Sequence, residues 1–213
     1  PSGTISTFAS NLPLNARHPI VIDNAGNVLP NQVYTRSGGD VIPPTGTAPT
    51  AITGINSCIP ISSNFDATLA ASGYTDNCGG PVTATQTNFS ISGTNCSWIE
   101  TYTFNVSDLC GNSLTNQIYT RSGSDQTAPT GSAPLSIVGV DTCMPSSPSF
   151  NAILIAYGYT DNCGGPVIAT LTNYSVSGSN CSWIETYTFS VSDVCGNTLT
   201  NQTYTRSGSD QTA

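Results

Sequence analysis

The sequence predicts an all-β protein built from tandem β-sandwich repeats of about 85 residues. The period comes from the cysteines, because the eight cysteines form two sets of four that superpose when shifted by 85 residues. The strands come from alternating apolar and polar residues, interrupted by turn-forming residues roughly every ten positions. The two sets are Cys58, Cys78, Cys96 and Cys110, then Cys143, Cys163, Cys181 and Cys195.

The segments between the cysteines repeat as well. YTDNCGGPV begins at Tyr74 and again at Tyr159, and CSWIETYTF begins at Cys96 and again at Cys181. A period this long and this faithful marks an array of whole domains, which is typical of stalks and adhesins and uncommon in enzymes.

The same shift sets the domain boundaries. QVYTRS at 32–37 aligns with QIYTRS at 117–122. We therefore predict the C-terminal half of a preceding, divergent repeat at 1–42 and full immunoglobulin-sized repeats at 43–127 and 128–213. We expect the chain to be a piece of a longer array, in which the missing strands of the half repeat are supplied in cis or by another subunit.

Within one repeat, the first elements are short. Ala51–Ile55 follows a proline-rich segment and is predicted to be a strand, and Phe65–Ala71 is predicted to form one short helical turn. Val82–Gln86 and Asn88–Ser92 are predicted to be two strands, bounded by the turn-forming sequences CGGP and SGTN.

Ser97–Ser107 is the strongest predicted strand. Its bulky apolar residues share one parity, as expected for a half-buried strand, and Glu100 is a charged exception on the same parity. A DLCGN turn then leads to a second strand through Leu114 and Tyr119. The apolar residues of the first strand are Trp98, Tyr102, Phe104 and Val106.

Composition excludes several classes of partner. The formal net charge is −8, and arginine is the only basic residue besides a single histidine, with four copies in 213 residues. Nucleic acids and anionic membranes require clustered Lys and Arg, so we expect no nucleic-acid binding and no membrane insertion. No apolar run reaches the ~18 residues that a membrane-spanning helix needs.

Four cysteines at fixed spacing in a small domain indicate disulfides and an oxidising compartment. Zinc is the rival interpretation, but the cysteines form no CxxC pair, and their wide spacing suits chelation poorly. An extended strand between Cys96 and Cys110 would hold them roughly 35–45 Å apart. A disulfide requires Cα atoms within about 7 Å.

The length of this strand therefore favours two bridges within each copy, one at each end of the sandwich. The expected pairs are Cys78–Cys110 and Cys58–Cys96, with the equivalents Cys163–Cys195 and Cys143–Cys181. Pairing of Cys96 with Cys110 stays open, because Asn11 and Ala25 occupy both of these positions in the half repeat.

Three motifs carry a resemblance to a known family. TDNCGG, the strand-and-turn sequence YTFNVSDLCGN and the linker DQTAPT resemble the hyalin-repeat (HYR)-like, immunoglobulin-like modules of giant cell-surface adhesins in Bacteroidetes. The most specific parts are SDLCGN at 107–112, SDVCGN at 192–197 and DQTAPT at 125–130. The resemblance implies tandem immunoglobulin-like β-sandwich repeats of about 85 residues, secretion, and in some relatives gliding motility.

Four aspartates are candidate calcium ligands, because they would meet at one domain end together with asparagine oxygens. The alternative is that Asp and Asn only build turns there, which they do routinely. No other cofactor is expected. The four candidates are Asp76, Asp108, Asp161 and Asp193.

The remaining polar candidates favour structural roles. Arg121 and Arg206 are expected to form ion pairs with Glu100 or Glu185, or with a nearby aspartate. His18 is the only histidine, and the sequence contains no nucleophile–base pair or phosphate-binding loop, so we expect no enzymatic activity.

The sequence thus predicts a structural stalk or adhesin repeat of a large extracellular, cell-surface or filament-forming protein. Its immediate partners would be neighbouring repeats, and surface glycans or other cells would be reached through regions outside this piece. The alternative is a carbohydrate- or protein-binding module with ligand sites on the loops of each repeat.

Overall fold

The computed structural model describes residues 25–27 and 37–212. Contacts divide the chain after Asp40, and the residues from Val41 onward form one unit that contains both full repeats. The expectations for the half repeat, including Asn11 and His18, lie outside the described residues. Where the chain is described, no helix has the length and apolar character needed to cross a membrane.

Six strands and one short helix form each repeat in this part of the chain. In the first repeat they are β1 (Thr45–Gly46), β2 (Ile52–Asn56), α1 (Ala67–Ala71), β3 (Tyr74–Thr75), β4 (Thr83–Thr94), β5 (Ser97–Ser107) and β6 (Ser113–Ser124). In the second repeat they are β7 (Thr130–Gly131), β8 (Ile137–Asp141), α2 (Ala152–Ala156), β9 (Tyr159–Thr160), β10 (Ile168–Ser179), β11 (Ser182–Ser192) and β12 (Thr198–Ser209).

Each repeat contains one four-stranded and one two-stranded sheet. The larger sheet of the first repeat has the order β2-β6-β5-β4, with β2 parallel to β6 and the other pairs antiparallel. β1 pairs with β3 in the small sheet. The second repeat has the same arrangement, with β8-β12-β11-β10 and β7-β9. The predicted all-β class is therefore confirmed.

The predicted elements are largely confirmed, with one difference. β5 spans Ser97–Ser107 as predicted, and the helical turn appears as α1 with Asp66 as its N-cap. β4 is one strand where two were predicted, because its pairing with β5 shifts register between Gln86 and Asn88. A bulge at this position accommodates one extra residue without ending the strand.

The core of each repeat lies between the larger sheet and its helix. Tyr102, Phe104 and Val106 of β5 are fully buried, as their shared parity predicted, and α1 contributes Ala70. Tyr102 stacks on Tyr119 of β6 with ring centroids 4.9 Å apart. The equivalent residues of the second repeat are Tyr187, Phe189, Val191, Ile155 and Tyr204.

A tryptophan closes one end of this core. Trp98 is buried, and its indole Nε1 donates a hydrogen bond to the carbonyl oxygen of Ser57 at 3.0 Å. Gly123 makes room for the ring, since a Cβ there would lie 2.6 Å from Cζ2 of Trp98 and 2.2 Å from the carbonyl oxygen of Ile55. Trp183 and Gly208 repeat the arrangement.

The charged exception on β5 is neutralised by the neighbouring strand. Glu100 is fully buried, and Arg121 of β6 lies 3.4 Å from its carboxylate. Arg206 lies 3.2 Å from Glu185 in the second repeat. The predicted structural ion pairs are confirmed, with the glutamates rather than the nearby aspartates as partners.

Candidate functional site: the junction between the repeats

Strand directions give each repeat two ends. Because β5 is antiparallel to β6 and β2 is parallel to β6, residues that precede β5 meet residues that follow β2 and β6. We call this end the distal face; in the first repeat it comprises Cys58, Asn95, Cys96 and Asp125. The loops at the opposite end form the proximal face; in the second repeat it comprises Asp161, Asn162, Cys163, Asp193, Cys195 and Asn197.

Asn95 holds the distal face of the first repeat together. Its carbonyl oxygen accepts a hydrogen bond from the backbone N–H of Asp125 at 2.7 Å. Its side-chain Oδ1 accepts from the backbone N–H of Ile59 at 3.0 Å. One residue at the tip of the β4–β5 hairpin therefore ties the segments after β2 and after β6 to the same end.

Two aspartates build the loops of the proximal face. Asp161 Oδ2 accepts from the backbone N–H of Cys163 at 2.8 Å. Asp193 Oδ1 accepts from the backbone N–H groups of Cys195 at 2.8 Å and Asn197 at 2.9 Å, and its Oδ2 accepts from the Asn197 side chain at 2.8 Å. Each aspartate thus fixes the backbone around one cysteine.

Two disulfides connect these faces. Cys58 is bonded to Cys163 and Cys96 to Cys195, with Cα–Cα distances of 5.2 and 4.9 Å. Both bridges join the distal face of the first repeat to the proximal face of the second. The bridges indicate an oxidising, non-cytoplasmic environment.

The predicted pairs Cys58–Cys96 and Cys163–Cys195 are therefore wrong. The prediction placed each cysteine at the correct end of the repeat, because β5 does separate Cys96 from Cys110. It failed because it assumed that each cysteine bonds within its own repeat. The repeats stack end to end, which brings the distal cysteines of the first repeat to the proximal cysteines of the second.

The other two predicted bridges, Cys78–Cys110 and Cys143–Cys181, are not formed either. All four of these cysteines are exposed and lie outside the two disulfides. Cys78 and Cys110 lie on the proximal face of the first repeat, and Cys143 and Cys181 lie on the distal face of the second. The junction between the full repeats joins the other two faces.

Asparagine side chains add hydrogen bonds across the junction. Asn95 Nδ2 donates to the carbonyl oxygen of Cys163 at 3.0 Å. Asn162 Nδ2 donates to Asp125 Oδ1 at 3.3 Å, and Asn197 Nδ2 donates to the carbonyl oxygen of Asp125 at 3.2 Å. Asp125 is only 4 % exposed, so the junction shields its carboxylate from water. The hydrogen bond from Asn162 satisfies one of the carboxylate oxygens in place of water.

The charge of Asp193 is stabilised within the proximal face. Burial favours the neutral acid, but hydrogen bonds from Asn197, Cys195 and Gly196 outweigh it and hold the pKa of Asp193 below its ordinary value. Asp193 is 5 % exposed, whereas its counterpart Asp108 is half-buried. The loop therefore carries its negative charge into the covered junction.

The four candidate calcium ligands lie on the two proximal faces, as predicted. Their oxygens mainly serve turns: Asp108 and Asp193 each receive hydrogen bonds from a neighbouring asparagine. Asp161, Asp125 and Cys163 do bring ligand atoms within 4.8 Å of one another, but the sulfur is already bonded to Cys58. Two carboxylates supply part of the six to eight oxygens that Ca²⁺ takes, so calcium binding stays a prediction.

A shallow groove beside the helix recurs in both repeats. In the first repeat it has a volume of about 350 Å³ and is lined by Ile52, Asp66, Leu69 and Arg121 among others. In the second repeat the volume is about 240 Å³, with Leu154 and Arg206 in the lining. Both arginines already pair with a buried glutamate, so neither groove offers a guanidinium without a counter-ion.

Sequence reasoning missed the asparagines that carry the junction. A signal was present, because an Asn-Cys pair occurs at 77–78, 95–96, 162–163 and 180–181. Asparagine can donate across an interface and accept from its own loop at once, which suits a position next to a bridging cysteine.

The sequence matches no protein-family model and no curated protein.

Proposed function

We propose that this chain is a structural repeat of an extracellular stalk or adhesin fibre, in which neighbouring repeats are locked end to end by pairs of disulfides. The observation that carries the proposal is the junction: two bridges join faces whose residues recur in every full repeat. Such a connection suits a protein whose task is to hold domains in a fixed line.

The architecture supports the same conclusion. Each repeat is a small all-β unit with one four-stranded sheet, one two-stranded sheet and one helical turn, which we take as an immunoglobulin-like β-sandwich variant. The linker between the repeats contains Pro129 and Pro134, which restrict the backbone. The disulfides support secretion to the cell surface.

We propose no catalytic role. The buried carboxylates of the described residues, Glu100, Glu185, Asp125 and Asp193, are engaged by arginine, asparagine or backbone groups. The function is therefore mechanical attachment or projection, with surface glycans or other cells contacted elsewhere in the larger protein; gliding is one setting for it.

Small-angle X-ray scattering of the oxidised chain tests the proposal. We expect a fixed, elongated arrangement of the two repeats that does not change with salt. The variant Cys58→Ser/Cys96→Ser should broaden the distance distribution by freeing the linker. Compact particles with repeats folded back on each other would contradict a stalk.

A second candidate function is a binding module, supported by a difference between the repeats. Ile153 on α2 and Tyr157, which caps the end of this helix, are 85 % and 91 % exposed, whereas the first repeat has Thr68 and Ser72 at these positions. Ile61, at the position of Ser146, is fully exposed. Large exposed apolar side chains at variable positions are typical of contact surfaces.

Glycan-array binding by the whole chain tests this candidate. Binding that is lost in Tyr157→Ser, the residue of the first repeat, would support a ligand site on the second repeat. The reciprocal variant Ser72→Tyr serves as the matched control, since it adds an aromatic ring at the equivalent position. Unchanged binding in Tyr157→Ser would locate any ligand elsewhere.

A further inference from the structure

The junction between the repeats brings two carboxylates together with no basic side chain to neutralise them. A carboxylate oxygen of Asp125, on the distal face of the first repeat, lies within 4.8 Å of one of Asp161, on the proximal face of the second. Asp125 is 4 % exposed and Asp161 is half-buried. Both arginines in the described part of the chain pair with the buried glutamates of β5 and β11, so neither compensates this charge.

Hydrogen bonds satisfy these two carboxylates only in part. Asp125 Oδ1 accepts from Asn162 Nδ2 at 3.3 Å and from the backbone N–H of Thr127 at 3.1 Å. Asp161 Oδ2 accepts from the backbone N–H of Cys163 at 2.8 Å. Asp161 Oδ1 is buried and accepts no hydrogen bond among the described residues. A buried carboxylate oxygen without a donor is unfavourable, and a second carboxylate close by adds repulsion, so the position favours a cation.

We propose that a calcium ion binds in the junction between the two repeats and is coordinated jointly by the carboxylates of Asp125 and Asp161. Ca²⁺ binds its oxygen ligands at ~2.3–2.6 Å, so two oxygens on the same ion lie at most about 5 Å apart. The separation of the two carboxylates fits this limit. Water supplies the ligands that the protein does not.

The ligand atoms favour calcium over other metals. Both side chains offer carboxylate oxygens, and the nearby sulfur of Cys163 is bonded to Cys58, so no thiolate is present there for a soft metal. Mg²⁺ requires a nearly ideal octahedron at ~2.0–2.1 Å, whereas Ca²⁺ tolerates irregular geometry. Two carboxylates that come from loops of different repeats suit the more tolerant ion.

The site differs from the calcium site that the sequence predicted. That prediction placed all ligands on one proximal face, whereas Asp125 belongs to the preceding repeat. Asp193, the predicted neighbour of Asp161, uses its oxygens within its own loop. Calcium would therefore add a second, non-covalent connection across a junction that already contains two disulfides. This inference rests on the junction and not on the stalk proposal, so the two can fail separately.

Titration calorimetry of the oxidised full chain with calcium chloride, after removal of metals with a chelator, tests the site. We expect a Kd of roughly 10⁻⁴–10⁻³ M, as in extracellular calcium modules. Asp125→Asn and Asp161→Asn should each weaken binding about tenfold or more, because each removes one charged ligand. The matched control is Asp66→Asn, which should keep the Kd of the parent. Asp66 caps α1, and Asn151 caps α2 in the same way, so this variant removes a charge without disturbing the fold.

Thermal unfolding separates a metal ligand from a residue that only shapes its loop. Without calcium, Asp161→Asn should melt at or above the Tm of the parent, because it removes the repulsion and keeps an oxygen that accepts from Cys163. In millimolar calcium the Tm of the parent should rise and that of the variant should not, so the order reverses. A purely structural role would lower the Tm of the variant equally under both conditions.

Three outcomes would overturn the inference. Full calcium affinity in Asp125→Asn would show that the site does not span the two repeats. An equal rise in Tm with magnesium chloride at the same ionic strength would show general screening of charge and no specific site. A parent protein whose Tm does not respond to calcium would show that the two carboxylates are compensated without a metal.

Discussion

The distal faces of the two repeats have nearly the same residues and different surroundings. Cys58 and Asn95 are half-buried against the next repeat, whereas Cys143 and Asn180 face solvent. The hydrogen bonds that shape each face are nevertheless the same, within about 0.1 Å for the pairs compared. The face is therefore built by its own repeat, and a neighbour only covers it.

The largest expected effect is on the covered face. Cys58→Ser/Cys96→Ser removes both bridges, and each closes a loop of about 100 residues whose cross-link contributes roughly 4–5 kcal/mol in the chain-entropy model. Because the two loops overlap, we expect the loss of stability in the double variant to be smaller than the sum of the two contributions. Calorimetry should show a clearly lower Tm than that of the parent. Proteolytic cleavage of the linker between the repeats should be faster.

The matched control is Cys143→Ser/Cys181→Ser, which makes the same change on the exposed face. In monomeric protein its Tm should stay within experimental error of the parent. A similar loss of Tm in both variants would show that the cysteines act through their own repeat and not through the junction.

The next effect concerns the tryptophan end of each core. Gly123→Ala places a methyl group against Trp98 and the Ile55 carbonyl, which should cost at least the ~1–3 kcal/mol typical of overpacking. Gly208→Ala does the same to Trp183. Thermal unfolding of the two variants tests whether the repeats unfold separately. Two resolved transitions, one shifted in each variant, would show independence, whereas a single shared shift would show coupling through the junction.

A third difference separates the two buried glutamates. Tyr174 donates a hydrogen bond to Glu185 Oε1 at 2.9 Å, but Phe89 occupies its position in the first repeat and leaves both oxygens of Glu100 without a hydrogen bond among the described residues. Tyr174→Phe should therefore destabilise the second repeat by roughly 1–2 kcal/mol. Phe89→Tyr should stabilise the first. Chemical denaturation measures both, and a destabilising Phe89→Tyr would contradict the argument.

The phenol of Tyr174 also gives a pH-dependent signature. Burial and the hydrogen bond to Glu185 raise its pKa to about 12. The stabilising contribution of the neutral phenol is present below its ordinary pKa near 10 and is lost as pH rises towards 12. Absorbance titration should lose one of the most alkaline tyrosines in Tyr174→Phe, and an unchanged profile would contradict this assignment.

The smallest expected effect distinguishes Asp193 from Asp108. Hydrogen bonds lower the pKa of both carboxyls, so each stabilises the fold above its ordinary pKa of about 3.9 and loses that contribution as pH falls towards its lower folded value. Because Asp193 is covered, Asp193→Asn should lower Tm at pH 5 more than Asp108→Asn does, and each variant's difference from the parent should shrink as the pH falls. Tm between pH 2 and 5 measures this, and equal shifts would remove the distinction.

The sequence allowed the strands and cores to be predicted because both depend on local period. Alternation along β5 identified Tyr102, Phe104 and Val106 as core residues, and turn chemistry located its end. The register bulge in β4 left no comparable signal, because an extra residue in a strand looks like a break in alternation.

The junction could be predicted only in part. Strand reach assigned Cys58 and Cys96 to one end and Cys110 to the other, but the pattern within one repeat contains no information about what covers that end. The partner of Cys58 depends on how repeats stack, which is a property of the array. The Asn-Cys pairs mark the positions that form the junction, but they do not show which cysteine bonds to which.

The interleaved order of the disulfides has a consequence for the chain under tension. A pulling force that unfolded residues 58–195 completely would extend 137 residues, or about 480 Å at ~3.5 Å per residue. With Cys58 bonded to Cys163 and Cys96 to Cys195, the shortest covalent path between the ends contains only residues 163–195, or about 110 Å. The other backbone segments run parallel to this path and stay slack. The two bridges therefore act as a strain limiter: a load that unfolds both repeats extends the span from Cys58 to Cys195 to less than a quarter of its contour length.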